Sequence, residues 1–266
     1  MNRCVSAIYY GDGKLKSLEI SIRDLSLIVI FTAVTFVFTT IITIATPATR
    51  GFINIGETGV YLSALIGGPL VGAIAGGLGS ALADIALGYY WYAPGTFIIK
   101  SIEGFLAGWL SRKIVRTKQY TKIIIAALVS IMLIAFLWVM AYGGIEISII
   151  IFGNPIEILI PFWLVIGIAI GLGVVFIILA LIGKVYSDLA LACLISGVEM
   201  VFGYYLYETL LFGAKIALVE VLPNFIQPIA GIIIGIPIVL ALMEMGVDVD
   251  IARFIRKVQE EQISRS

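Results

Sequence analysis

Residues 25–45 read LSLIVIFTAVTFVFTTIITIA, a run of apolar and hydroxyl side chains without a single charge. A helix needs roughly 20 such residues to cross the hydrocarbon core of a bilayer, so this stretch is expected to be a membrane helix. A buried core helix would need a soluble domain around it, and the rest of the chain supplies none. Of 266 residues, 61% are hydrophobic and 13% charged, with a mean hydropathy of +1.12. Soluble domains run at roughly 45–50% and 25%. That composition excludes a soluble enzyme, a disordered chain and a nucleic-acid binder. Lys+Arg and Asp+Glu balance at 17 each, so no basic field attracts nucleic acid. The absence of His removes Ser-His and Cys-His pairs and HExxH zinc sites, and no metal or cofactor is expected. Cys4 in a polar segment and Cys193 in an apolar run do not make a disulfide framework. Residues 1–23 contain Lys14, Lys16 and Arg23 but no apolar core of their own, and they read as a polar segment rather than a cleavable signal.

Downstream, Gly and Pro punctuate further apolar runs. These extend from just after Glu57, which ends a loop, to Gly68-Pro69, Leu70 to Gly88, about Thr96 to Leu110, about Ile123 to Tyr142, about Ile158 to Ile182, about Leu189 to Leu211 and about Leu222 to Met243. A loop with Gly143, Gly144, Asn154 and Pro155 separates the fourth of these from the fifth. The expectation is an all-α integral membrane protein of about eight helices, with the two after Glu57 short enough to be tilted or partly re-entrant. Residues 1–23 form an amino-terminal segment, 24–245 the membrane domain and 246–266 a charged tail. Lys14, Lys16, Arg23, the patch Arg112, Lys113, Arg116, Lys118 and Lys122, then Lys184, Arg253, Arg256 and Lys257 fall on one side; Arg50 and Lys215 fall on the other. The positive-inside rule puts both termini in the cytoplasm of a multi-pass protein of the cell membrane.

Gly68, Gly72, Gly76 and Ser80 recur every four residues, with Gly79 and Ala83 beside them. Small residues at that spacing let helix backbones approach closely in lipid. Packing within one subunit is the commoner use, and a dimer seam the alternative.

Ionisable residues inside spans are costly and mark function by default. Lys100 and Glu103 lie three apart on one helix face and are expected to pair. Asp84, near the outer end of its span, reads as a structural partner of Lys100 or of backbone groups. Four outward segments carry recognition groups. ATRGFINIGETGVYL holds Arg50, Phe52, Asn54 and Glu57, and GYYWYAPGT holds Tyr89, Tyr90, Trp91 and Tyr92. GYYLYE holds Tyr204, Tyr205, Tyr207 and Glu208, and Glu220, Asn224 and Gln227 share one face of the last span. Aromatic faces with a few amides and carboxyls suit a flat heteroaromatic ligand, stacked by the rings and read at its edge. An interfacial belt would account for any single Tyr; the convergence of polar groups favours a site made of Arg50, Phe52, Asn54, Glu57, Tyr92, Lys100, Glu103, Tyr204, Tyr207, Glu208, Glu220, Asn224 and Gln227. No GxxxxGK[ST] occurs, so the chain has no P-loop for ATP.

The block from Arg50 to Leu110 resembles the substrate-binding membrane subunits (S components) of energy-coupling factor vitamin transporters, most nearly the riboflavin type. The matching residues are Phe52, Asn54, Gly56 and Glu57, the Gly68–Gly72 turn, the Gly79–Asp84 helix and the Tyr92–Gly104 helix. MVFGYYLYETLLFGAKIALVEVLPNFIQPIAGIIIGIP, residues 200–237, is similar to the last two helices of that family. The resemblance implies a six-helix core, 24–115 and 186–245, with an inserted helical pair at about 120–185. It implies capture of a vitamin-like molecule, riboflavin by family, from outside. A transmembrane coupling subunit and two ATPase subunits would supply the work, so this chain is not an enzyme. Such subunits often carry small residues spaced by four on the first helix for docking; here Ala33, Thr35 and Thr39 approximate that. The alternative is a self-sufficient transporter in which Lys100, Glu103 or Glu199 relays a proton. No nucleophile–base pair supports a membrane enzyme.

Overall fold

A computed structural model describes residues 7–9, 15–17, 21–46, 49–140, 145–151 and 154–264. The elements run β1 (Ala7–Tyr9), β2 (Leu15–Ser17), α1 (Ile22–Ile41), β3 (Thr43–Thr46), β4 (Gly51–Asn54), α2 (Glu57–Gly67), α3 (Pro69–Ala86) and α4 (Ala93–Arg116). They continue with α5 (Gln119–Met140), β5 (Ile145–Ile151), β6 (Asn154–Ile160), α6 (Phe162–Ile182), α7 (Val185–Phe212), α8 (Ala214–Glu244) and α9 (Asp250–Ile263). The fold is an all-α membrane bundle with three antiparallel hairpins, β1–β2, β3–β4 and β5–β6, joining or preceding its helices.

Local sequence explains the breaks. Ser21 caps α1 and forms a reciprocal capping box with Asp24. The chain leaves α1 after Ile41 and turns at Arg50, whose φ is +53°. Gly68 (φ +102°) followed by Pro69 ends α2 and starts α3 within one residue, since glycine tolerates the positive φ and proline suits a first turn. Two expectations are corrected here. The first apolar run is helical only to Ile41, and Thr43–Thr46 is a strand paired with Gly51–Asn54. The stretches 145–151 and 154–160, read as a loop and the start of a span, are the paired strands β5 and β6, in register from Ile145↔Ile160 to Ile151↔Asn154. There β-branched Ile at alternate positions outweighs hydropathy, and Pro161 then opens α6.

Among the described residues six helices, α1, α3, α5, α6, α7 and α8, are long and apolar enough to cross a membrane. Helix α4 has 24 residues, about 36 Å at ~1.5 Å each, so it has the length to span, but it carries charges at its centre and its end. Helix α2 has 11 residues and is buried on almost every side. Large apolar side chains remain exposed along the flanks, among them Val29 and Ile30 on α1, Ile131 and Trp138 on α5, Trp163 and Leu181 on α6 and Ile233 on α8. On a multi-pass protein these face lipid, which has no less affinity for them than a core would.

The small-residue stripe is used inside the chain. A Cβ on Gly72 would meet the Gly104 carbonyl at 2.6 Å, and one on Gly79 would meet the Thr32 carbonyl at 2.7 Å. The stripe therefore lets α3 touch both α4 and α1, which agrees with packing within one subunit. Thr35 and Thr39 are buried against Gly59, Gly79 and Gly56, so of the small residues noted on α1 only Ala33 faces outward.

Helices α5 and α6 pack on each other, with Ser130 Oγ 3.2 Å from the Gly173 carbonyl. The ion pair Lys122–Asp188, at 2.6 Å, ties α5 to α7. The charged tail is itself folded. In α9, Ile251, Ala252, Ile255 and Val258 are buried, and Asp250 pairs with Arg112. Arg23 bonds the Asp248 carbonyl at 2.9 Å, so the start of α1, the end of α4 and α9 lie together. This end of the bundle gathers Arg23, Arg112, Lys113, Arg116, Arg253 and Arg256.

Candidate functional site

The other end of the bundle gathers the recognition groups. The β3–β4 hairpin lies across the mouth formed by the end of α3, the start of α4, the end of α7 and the start of α8. The Asn54 N–H donates to Gln227 Oε1 at 3.3 Å, and the Gln227 amide donates to Asn224 Oδ1 at 2.7 Å. Thr49, buried in the hairpin turn, donates to Glu220 Oε1 at 2.5 Å. The hairpin is thus held down by polar groups of α8. Pro223 and Pro228 sit within that stretch of α8, where each removes a backbone donor from the helix ladder.

Beneath the hairpin is a cavity lined by Phe52, Asn54, Tyr92, Tyr204, Glu208, Glu220, Asn224 and Gln227, all anticipated from sequence, and by Thr46, Gly51, Asp84 and Thr96, which were not. The Tyr92 hydroxyl lies 3.1 Å from Glu208 Oε1 and 3.3 Å from the Thr49 carbonyl. The Tyr204 hydroxyl reaches Thr96 Oγ1 at 3.0 Å. Phe52 meets Tyr89 with ring centroids 4.7 Å apart. Among the described residues three carboxyl groups, Asp84, Glu208 and Glu220, line the cavity, and no Lys or Arg does. Asp84 Oδ2 and Glu208 Oε2 are buried without a hydrogen-bond partner among the described residues. Buried acceptors are normally satisfied, so this wall presents two open acceptors to whatever enters. The free space is about 30 Å³, room for a water or two and about a tenth of the smallest usual ligand pocket.

Five anticipated residues lie elsewhere. Arg50 is exposed in the hairpin turn. Tyr207 donates to the Trp91 carbonyl at 2.5 Å and packs on Gly95. Glu57, Lys100 and Glu103 form a separate, fully buried cluster. Lys100 pairs with Glu57 and, at 3.0 Å, with Glu103. The Tyr61 hydroxyl donates to Glu103 Oε1 at 2.9 Å. The expected Lys100–Glu103 pair is present, and Glu57, read as a loop residue, is drawn into it from the first turn of α2. Asp84 makes no ion pair with Lys100; it belongs to the cavity wall instead. The cluster reaches the cavity through Tyr204, whose ring centroid lies 5.6 Å from Lys100 Nζ. The sequence signal for Asp84 was present, an acid in a membrane helix. Thr46 and Thr96 carried none, because threonine is ordinary in such helices.

Known proteins match this architecture. The family described as ECF-type riboflavin transporter, S component, matches residues 19–187, which is more than half of the chain and runs through α5 and α6. A Pyrococcus woesei protein, described as an uncharacterized protein in the gap 3' region, is 36% identical over 117 residues, 44% of this chain and 72% of its own length. The thiamine precursor transporter HmpT of Lactococcus lactis subsp. cremoris is 33% identical over 89 residues, 33% of this chain and 54% of that protein. Fold, membrane character and family match agree: the chain belongs to the ECF-type riboflavin transporter S component family, the vitamin-type substrate-binding subunits of membrane transporters.

Proposed function

We propose that this protein captures a flat, nitrogen-containing heterocycle of the vitamin class from outside the cell, for import driven by a coupling subunit and two ATPase subunits. The observation that carries this reading is the convergence of four helices and a hairpin on one polar, aromatic-walled cavity. Riboflavin is the ligand in the family's description, and one relative is described as a thiamine precursor transporter. The cavity wall adds a criterion. Open carboxyl oxygens and no cation favour a ring with N–H or amino donors at its edge. Entry requires the β3–β4 hairpin to lift, since ~30 Å³ holds no vitamin. Its three hydrogen-bond ties, Thr49 to Glu220, Asn54 to Gln227 and Tyr92 to the Thr49 carbonyl, are few enough to break and remake on binding. Of the thirteen residues anticipated from sequence, the eight that line the cavity contact ligand, Glu57, Lys100 and Glu103 hold the framework, and Arg50 and Tyr207 lie outside both groups.

The test is fluorescence titration of the purified full-length protein with riboflavin, with an aminopyrimidine of the thiamine-precursor type, and with a carboxylate-bearing heterocycle. Saturable binding of either of the first two and none of the third supports the reading; binding of none, with no small molecule carried through purification, overturns it. Asn224→Ala should weaken binding by about 1–3 kcal/mol, the usual cost of leaving a buried polar group unpaired, with little change in melting without ligand. Earlier melting and unchanged affinity would make Asn224 a structural residue only. Uptake into liposomes by the protein alone, driven by a pH gradient, would favour the self-sufficient transporter instead.

The segments 24–115 and 186–245 form the transport core in this proposal, and the pair at about 120–185 is an addition to it. The coupling subunit is assigned to the exposed α1 face through Val29, Ala33 and Val37, spaced by four and all exposed. The clustering of cations at the α9 end supports cytoplasmic termini. A cysteine introduced at Ser264 should resist impermeant maleimide in intact cells and react once they are opened; efficient labelling from outside would invert the topology.

A further inference from the structure

A second cavity lies on the flank of the bundle, between α5 and α7 and bounded below by α8. It encloses about 400 Å³, within the usual range of small-molecule sites. Met132, Leu133, Phe136, Phe202 and Phe225 are among its walls, and Glu199 is the one ionisable residue in them among the described residues. Met132 and Phe202 are 71% and 46% exposed, so the mouth opens sideways onto the apolar surface that faces lipid. Phe136 packs edge-on against Phe202 and Tyr205, at 5.6 and 5.5 Å, which keeps aromatic walls upright around the opening.

Glu199 decides what this room is for. Its Oε2 is buried and has no hydrogen-bond partner among the described residues, and Glu199 takes part in none of the ion pairs found there. The other acids near the middle of the bundle are engaged with Lys100. In lipid a polar group needs a partner more than it does in water, and a carboxyl held in an apolar chamber binds a charged donor more strongly than a neutral one. We propose that this cavity is a lateral binding site for an apolar amine, an alkyl or aryl molecule with one amino group, which enters from the membrane and places that group on Glu199. The site is distinct from the hairpin-covered cavity, shares no lining residue with it, and stands whether or not the vitamin reading holds.

The test uses the full-length protein in phosphatidylcholine nanodiscs with a spin-labelled alkylamine and the methyl ester of the same chain. The amine should show an immobilised component at a concentration at least about tenfold below that needed by the ester, as expected for one charge-assisted hydrogen bond. Glu199→Gln should remove most of that preference, and Val198→Trp, which fills the cavity from its wall, should remove the immobilised component for both probes. Equal immobilisation of amine and ester would mean ordinary acyl-chain contact and would overturn the proposal. So would an amine preference unchanged in Glu199→Gln or in Val198→Trp. If Glu199→Gln does not fold, the amine–ester comparison and Val198→Trp decide the matter.

Discussion

Replacing Lys100 by methionine should destabilise the protein by about 3–5 kcal/mol, the range for removing one partner of a buried ion pair. Lys100 is 3% exposed and its two carboxyl partners, Glu57 and Glu103, are 0% exposed. The ammonium is what allows two acids from α2 and α4 to share one apolar interior. Without it, two like charges face each other with no water to separate them. The measurement is thermal or denaturant unfolding of the purified protein in detergent. Adding Glu57→Gln and Glu103→Gln to Lys100→Met should recover much of the loss, because the penalty belongs to the unpaired charge rather than to the missing side chain. A single variant that melts with the parent would show that the cluster does not hold the helices. The same cluster bears on the site indirectly. Lys100 backs the Tyr204 ring, so the variant should also shift ligand affinity through Tyr204 without Lys100 touching the ligand.

Gly104→Val is the second large effect. A Cβ at Gly104 would lie 2.2 Å from the Gly72 carbonyl oxygen and 2.5 Å from its carbon. Both are backbone, so no side chain can swing away and α3 must part from α4. Overpacking ordinarily costs about 1–3 kcal/mol, and this contact belongs at or above the top of that range. Gly167→Val on α6, where a Cβ meets nothing within 4 Å, should stay within about 0.5 kcal/mol of the parent. Equal melting of the two variants would mean that the α3–α4 contact is looser than its glycines imply.

Hydrophobic runs with glycine and proline breaks made the membrane helices legible, because lipid forces every backbone group to bond within its own segment. The ends of the runs were less so. Residues 43–46, 145–151 and 154–160 are rich in apolar side chains but pair as strands, since hydropathy reports what faces lipid and not the backbone angle. Amphipathic α9 was masked in the same way: a tail rich in charge still buries Ile251, Ile255 and Val258 once its period is matched to a surface.

Residue type and spacing determined that an acid and a lysine three apart on α4 would pair, and that Glu220, Asn224 and Gln227 would face one way. Tertiary structure alone decided which of the polar groups meet. It brought Glu57, 43 residues before Lys100, into the ion cluster. It set Asp84 on the cavity wall rather than beside Lys100, and it turned Thr35 and Thr39 inward while leaving Ala33 outside. The physical reason is that a one-dimensional pattern fixes the face of each helix, whereas contacts between faces depend on rotation and approach. Here both are set by glycines, whose lack of a side chain lets α3 reach α1 and α4 at once.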